Sequence, residues 1–327
     1  MIRNVKLKLM KKGTLLMAVI VFITGLVIFG CNSHSPKKVD TSVLIQKRPN
    51  NKFEIIADSL KMLGEFDAAI KNYNKSLEID KSINTLYNIT YIYALVNNLD
   101  SAFYNLDLIN SSLDSSAWRL SNGQLINLVN DSRWKDVVDI RFEKYQAKFG
   151  DLNYPDLSKQ LMTIDVLDQS YNTLMNIYPD SSDYYWKMKK EINDKNVQDA
   201  EEIIEIYGWV LTKDVGQISN YVLFLVFQHC GDVKLMRKYE PLLRKNAEID
   251  DFFKNQYATY IDRILKYEGK NQIYGTQMSY DSLKQVYYLG NNLASPDSLS
   301  ILRKRMKLNP IEEYLKTMNA ELRIEVK

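Results

Sequence analysis

Cysteine and histidine are scarce in this 327-residue sequence, at two of each, and glycine and proline are sparse, at 12 and 7. Two cysteines leave no room for a disulfide framework, and if Cys31 is modified then Cys230 is left without a partner. Two histidines, His34 and His229, far apart in the chain, are too few for a histidine-rich zinc centre, and no metal site or cofactor is expected. HExxH, GxSxG and phosphate-cradling glycine-loop signatures are missing as well.

Acid is also missing from the first thirty residues. MIRNVKLKLMKKG carries five cations, at Arg3, Lys6, Lys8, Lys11 and Lys12, and is followed by the uncharged run TLLMAVIVFITGLVIFG. A basic start followed by an apolar segment is the pattern of a secretory signal peptide. The run ends in Ile28, Phe29, Gly30 and Cys31, which resembles the lipobox of bacterial lipoproteins, with Gly30 before the cut and Cys31 as the lipid-modified first residue. The alternative is a transmembrane anchor, for which 17 apolar residues are at the short end. The lipobox reading places the chain in the cell envelope, periplasm-facing and held to a membrane by lipid, with the outer membrane expected over the inner.

Taking those five cations from the 43 basic residues leaves 38 against 40 acidic ones. The mature chain is therefore weakly acidic, and nucleic acid is not expected as a partner, because its binding needs clustered Lys and Arg. Residues 31–50 are polar, contain two prolines and lack a sustained period, as a tether would. His34 lies there and is expected to be solvated.

The expected fold class is mainly α: tetratricopeptide-like helical repeats over 51–149, then a helical domain with a short β-hairpin over 150–327. In FEIIADSLKMLGEFDAAIKNYNKSLEID, Ile56, Ala57 and Leu60 share one helical face, Gly64 marks a turn, and Ala69, Tyr73 and Leu77 recur every four residues on the next helix. This segment resembles a tetratricopeptide repeat. Ala102 recurs about 33 residues after Ala69, with Asn97 and Asn98 at the turn, and a third segment around Trp134 resembles a closing unit. Such a module offers a groove for a protein or peptide partner, or serves as a spacer or dimerisation surface.

Pro155 opens the second region, with helices expected at 157–176 and 183–207, the latter carrying Ala200, Ile203, Ile204 and Tyr207 on one stripe. A single helix is expected over Val215–Cys230, apolar on every face in YVLFLVF and so central. A further helix places Phe253, Tyr257, Tyr260, Ile261 and Ile264 on one stripe. QIYGTQM and QVYYLGN are expected to pair as a hairpin, and two last helices to begin at Asp297 and Pro310.

Asn196, the YGW of Tyr207–Trp209, Val215-Gly216, Gln228-His229, YATYIDR, QIYGTQ and LRKRMKLNPIEEYL, in this order, resemble an uncharacterised bacterial family, domain of unknown function 6624, over about residues 155–320. The resemblance implies a helical domain found in lipoproteins or after repeat modules, and implies no reaction, ligand or partner.

Candidate site residues follow from residue type and spacing. His229, near a helix C-terminus, suits either a structural hydrogen bond or acid/base catalysis. Asp262 would either orient His229 or bind backbone groups of the following loop. Arg263 would either hold an anion or bind that same loop. Gln228, Gln272, Tyr274, Thr276 and Gln277 complete the ligand-binding candidates. Two functions stand: a lipid-anchored binding or scaffold protein of the envelope, and a hydrolase- or transferase-like enzyme built on His229, Asp262, Arg263 and the YGTQ loop.

Overall fold

The computed structural model describes residues 51–284, 286–289 and 293–322. The expected signal peptide and tether, with Cys31 and His34, lie outside the described residues. Within them are thirteen α-helices and three short strands, so the fold is mainly α with a hairpin near its C-terminal end.

Four helices form the first part: α1 (Lys52–Met62), α2 (Phe66–Ile79), α3 (Ile83–Leu95) and α4 (Leu99–Asn110). Asn51 caps α1 by accepting from the amides of Phe53 and Glu54, and Ser82 and Asn98 cap α3 and α4 in the same way. The helices pack as hairpins, α1 on α2 and α3 on α4. Ala57 and Ala69 are fully buried and Tyr73 fills the space beside them, its hydroxyl donating to Asp58. Burying a ring of this size contributes on the order of 2 kcal/mol or more.

The third segment contains a 3-10 turn, Gly123–Leu125, and one long helix, α5 (Arg133–Phe149). Trp134 is buried among Phe103, Val138 and Phe142. A fully buried guanidinium, Arg141, pairs with Asp114 and ties α5 to the loop after α4.

Helix α6 (Pro155–Ile177) belongs to two cores. Met162 and Val166 pack with Leu125, Leu128 and Phe142, whereas Leu157, Leu161 and Ile164 pack with the helices that follow. Its backbone passes so close to the 3-10 turn that a Cβ on Gly123 would lie 2.6 Å from the carbonyl carbon of Gln169.

The second core is built by α7 (Ser182–Tyr207), α8 (Thr212–Ser219), α9 (Val222–His229), α10 (Val233–Ile249) and α11 (Phe252–Tyr267). Every residue of α9 from Val222 to Gln228 is buried, as its all-round apolar sequence requires. The single helix expected over Val215–Cys230 is instead two helices. The backbone at Gly216 is non-helical, and Asn220 and Tyr221 separate α8 from α9. Helix α10 is an addition to the sequence reading. Asp232 caps it by accepting from Lys234 and Leu235, and it buries Met236, Tyr239, Leu243 and Ala247 on one face in spite of Pro241.

The hairpin pairs β1 (Ser279–Asp281) with β2 (Val286–Leu289), Ser279 opposite Tyr288. Its first strand thus begins after QIYGTQM, whose backbone is held otherwise. A third strand, β3 (Ala320–Leu322), adds parallel to β2. Between them run α12 (Leu299–Arg305) and α13 (Ile311–Thr317), and Leu289, Leu293, Leu299, Ile311 and Leu315 form a small core. Asp297 lies in a 3-10 turn ahead of α12, not at its cap, and Pro310 is the residue preceding α13.

Candidate functional site

The loop after α11 closes on a buried carboxylate. Asp262 accepts from the amides of Ile273 (2.7 Å), Tyr274 (3.1 Å) and Thr276 (3.0 Å) and from the Thr276 hydroxyl (3.0 Å). Burial pushes its carboxyl above the usual range, against the opposing pull of those donors. The carbonyls of the same loop face a second buried group: Arg303 donates to Tyr274 O (2.7 Å), Gly275 O (3.3 Å) and Asn309 O (2.8 Å), and its guanidinium lies over the Tyr314 ring. Gln272 and Gln277 exchange a pair of amide hydrogen bonds across the loop, at 2.9 and 2.8 Å. The Tyr314 hydroxyl donates to Thr276 O at 2.9 Å. The side chains of Gln272, Thr276 and Gln277 are thus engaged within the loop and its surroundings, where the backbone polar groups are buried and satisfied.

Asp262 therefore does not orient His229. That position is taken by Asp168 of α6, whose oxygens lie 2.8 and 3.1 Å from His229 Nδ1. Asp168 is buried. Burial alone would raise its carboxyl, but the charge and hydrogen bond of His229, a hydrogen bond from Gln169 and the charge of Lys189 outweigh this and hold it below the usual range. An Nδ1–H donated to the carboxylate fixes the ring and leaves Nε2 outward, with no hydrogen bond to any described residue. The His229 side chain is 18% exposed.

Arg263 joins the two groups of candidates. Its Nε donates to Gln277 Oε1 (3.0 Å) and one terminal nitrogen to the backbone carbonyl of Gln228 (3.1 Å). No acid among the described residues forms an ion pair with it. Gln277 also donates to Thr259 O, and Tyr274 packs its ring against the second core while its hydroxyl is pushed upward by burial.

Sequence reasoning missed the polar face opposite His229. Asp165, Asp168 and Asn172 recur on one side of α6, and Lys189, Asn193 and Asn196 on one side of α7, each set at i, i+3 or i+4, and i+7. Lys189 donates to Asn172 Oδ1, and Asn193 donates to the His229 carbonyl at 3.2 Å. Asn196 is buried with both amide atoms unpartnered, as are Gln228 Oε1 and Asn193 Oδ1. The signal was present as a period-3.6 stripe of polar residues within otherwise apolar helices. Only Asn196 entered the sequence reading, as part of the family resemblance.

Cys230, next to His229, points its thiol at the Phe227 carbonyl (3.1 Å), and burial raises it, so it is no activated nucleophile. A groove between α5 and α6, lined by Trp134, Val138, Lys159, Gln160 and Thr163, contains none of the candidate residues. Among the described residues no three His, Cys, Asp or Glu side chains cluster closely enough to hold a metal ion.

Together these features define a helical domain with a polar seam between α6, α7 and α9 and a latched loop beside it. Residues 155–327 match the model of a family of unknown function, DUF6624, and the chain belongs to that family. Neither the curated proteins nor the solved structures contain a match to the chain.

Proposed function

We propose that this chain is a lipid-anchored binding or scaffold protein of the bacterial cell envelope, in which the tetratricopeptide-like helical hairpins form a protein-interaction module and the family domain is carried behind it. The attachment is a lipid on Cys31. The observation that carries the interaction reading is the outer face of α1. Ala57 is the buried residue of that helix, whereas Ile55, Ile56 and Met62 are exposed and Leu63, at its end, is 76% exposed. A helical array needs a polar outer face on its terminal unit to remain unpartnered, and this one is apolar. No helix among the described residues is long and apolar enough to cross a membrane.

Two experiments test this. Cys31→Ser is expected to move the protein from the membrane fraction to the soluble one; retention of an uncleaved chain in the membrane overturns the anchor. A photo-crosslinking residue at Leu63 is expected to give an adduct of discrete mass in cells, while the same residue at Leu283, 95% exposed on the hairpin turn, gives none. Equal labelling at both positions, or none at either, overturns the interaction module.

The second reading is a hydrolase- or transferase-like enzyme. The observation that favours it is the His229–Asp168 pair, in which a buried acid orients an imidazole whose other nitrogen is open. Its constellation differs from the one expected from sequence, since Asp262 is held within the loop.

A further inference from the structure

Among the described residues two guanidiniums are fully buried, and each has a polar partner, although Arg141 Nε has none. Arg141 pairs with Asp114, and Arg303 donates to three carbonyls and stacks on Tyr314. Arg263, half-buried, is different. Two of its donors are used, by Gln277 and by the Gln228 carbonyl, and the rest of its planar fork has no partner among the described residues. Its neighbours worsen the imbalance. Lys189 and Lys266 both lie close enough to be repelled by Arg263, and burial disfavours the charge on all three. Against these three cations stands one ionised carboxylate, Asp168, already bound to His229. The Asp262 carboxylate is enclosed by the 273–276 loop.

Alongside lie buried amides with nothing to bind. Gln228 is 7% exposed with Oε1 unpartnered, and its backbone carbonyl is the Arg263 acceptor. Asn193, which holds the carbonyl of His229, has Oδ1 unpartnered, and Asn196 lies one turn further along the same face of α7. Buried cations without a counter-ion are costly, and natural proteins retain such groups where something outside the chain completes them. Of these orphaned amide atoms only Asn196 Nδ2 can donate to an anion, and the oxygens of Gln228 and Asn193 call for a donor elsewhere on the same ligand.

We propose that Arg263 and Lys189, bordered by Gln228 and His229, form a binding site for a small oxyanion, a carboxylate or phosphate group on a ligand. The second terminal nitrogen of Arg263 is free to donate to a carboxylate or phosphate oxygen, and Lys189 supplies a second positive charge from α7. His229, fixed by Asp168, supplies the open Nε2 at the border. The inference stands on the family domain alone and is independent of the lipid anchor.

The test is calorimetric titration of the purified full chain with inorganic phosphate and, separately, with succinate, ionic strength being held constant with sodium chloride. Saturable binding of at least one is expected. Phosphate alone identifies a phosphate group, and succinate alone a carboxylate. Arg263→Gln and Lys189→Met are each expected to weaken binding by about tenfold or more, the loss of one charge-assisted contact. Because Arg263 also supports Gln277, Lys189→Met keeps the test decisive if Arg263→Gln does not fold; a near-wild-type melting temperature checks that the variant is intact. No saturable binding of either anion, or binding unchanged in the folded variants, overturns the proposal.

Discussion

Asp262 and Arg303, 41 positions apart in the chain, hold the same four-residue loop from opposite polar sides, the acid taking its amides and the guanidinium its carbonyls. Removing either side leaves buried backbone groups without partners. Asp262→Ala is expected to destabilise the protein by about 3 kcal/mol or more, since three amides and a hydroxyl lose their acceptor at once. Urea denaturation measures the loss, and hydrogen exchange localises it: the amides of Ile273, Tyr274 and Thr276 should lose protection first. An unchanged midpoint would mean that the loop is held by packing alone.

Gly275 occupies the turn of that loop at φ +65°, where a Cβ would approach Leu289 to 3.0 Å and Leu293 to 3.2 Å. Gly275→Ala combines an unfavourable left-handed backbone with crowding of the small C-terminal core. The expected cost is about 2 kcal/mol. Thermal melting reads this, and a variant as stable as wild type would show that the turn relaxes to negative φ.

Gly123 is where the helical hairpins meet α6. A methyl there would sit 2.6–2.7 Å from backbone atoms of Gln169 and Ser170, which cannot rotate away as a side chain could. Gly123→Ala is expected to cost about 3 kcal/mol by forcing the 3-10 turn off the helix. Limited proteolysis should then cut between α4 and α5 in the variant and leave the wild type intact.

Asp165 is buried beside Tyr221 and Asp168, and burial pushes its carboxyl up to about 7. A carboxyl raised in the folded state above its unfolded value stabilises the fold fully at low pH, and that contribution is lost as pH rises from about 4 to about 7. Asp165→Asn removes the titration while retaining an acceptor for the Tyr221 hydroxyl. At about 1.4 kcal/mol per unit, the variant should gain roughly 2–4 kcal/mol over wild type between pH 4 and pH 8. Parallel stability profiles for the two proteins would contradict the assignment.

Much of the helical framework was legible because its causes are local. Ala57, Ala69 and Tyr73 announce a tight helical hairpin by size and spacing, and the stripes of α7 and α11 follow from the 3.6-residue period. The split of Val215–Cys230 was not legible, because YVLFLVF reads as helix on either side of the break and the break lies at Gly216 and Asn220. Helix α10 was overlooked because Pro241 and a charged surface mask a buried stripe that tertiary contact reveals.

The sequence by itself determined that the fold is mainly α, most of its helices, the family to which residues 155–327 belong and the residues crowded with polar groups, since composition, periodicity and motif order are local properties. Tertiary structure alone decided who partners whom. Asp168 reaches His229 across 61 positions, and β3 reaches β2 across about 30, through contacts that leave no spacing rule in the chain. Asp262 and Asp168 are both single acids on amphipathic helices. Which one orients a histidine and which one holds a loop depends on the faces that α6, α9 and α11 turn toward one another, and that is settled only when the core closes.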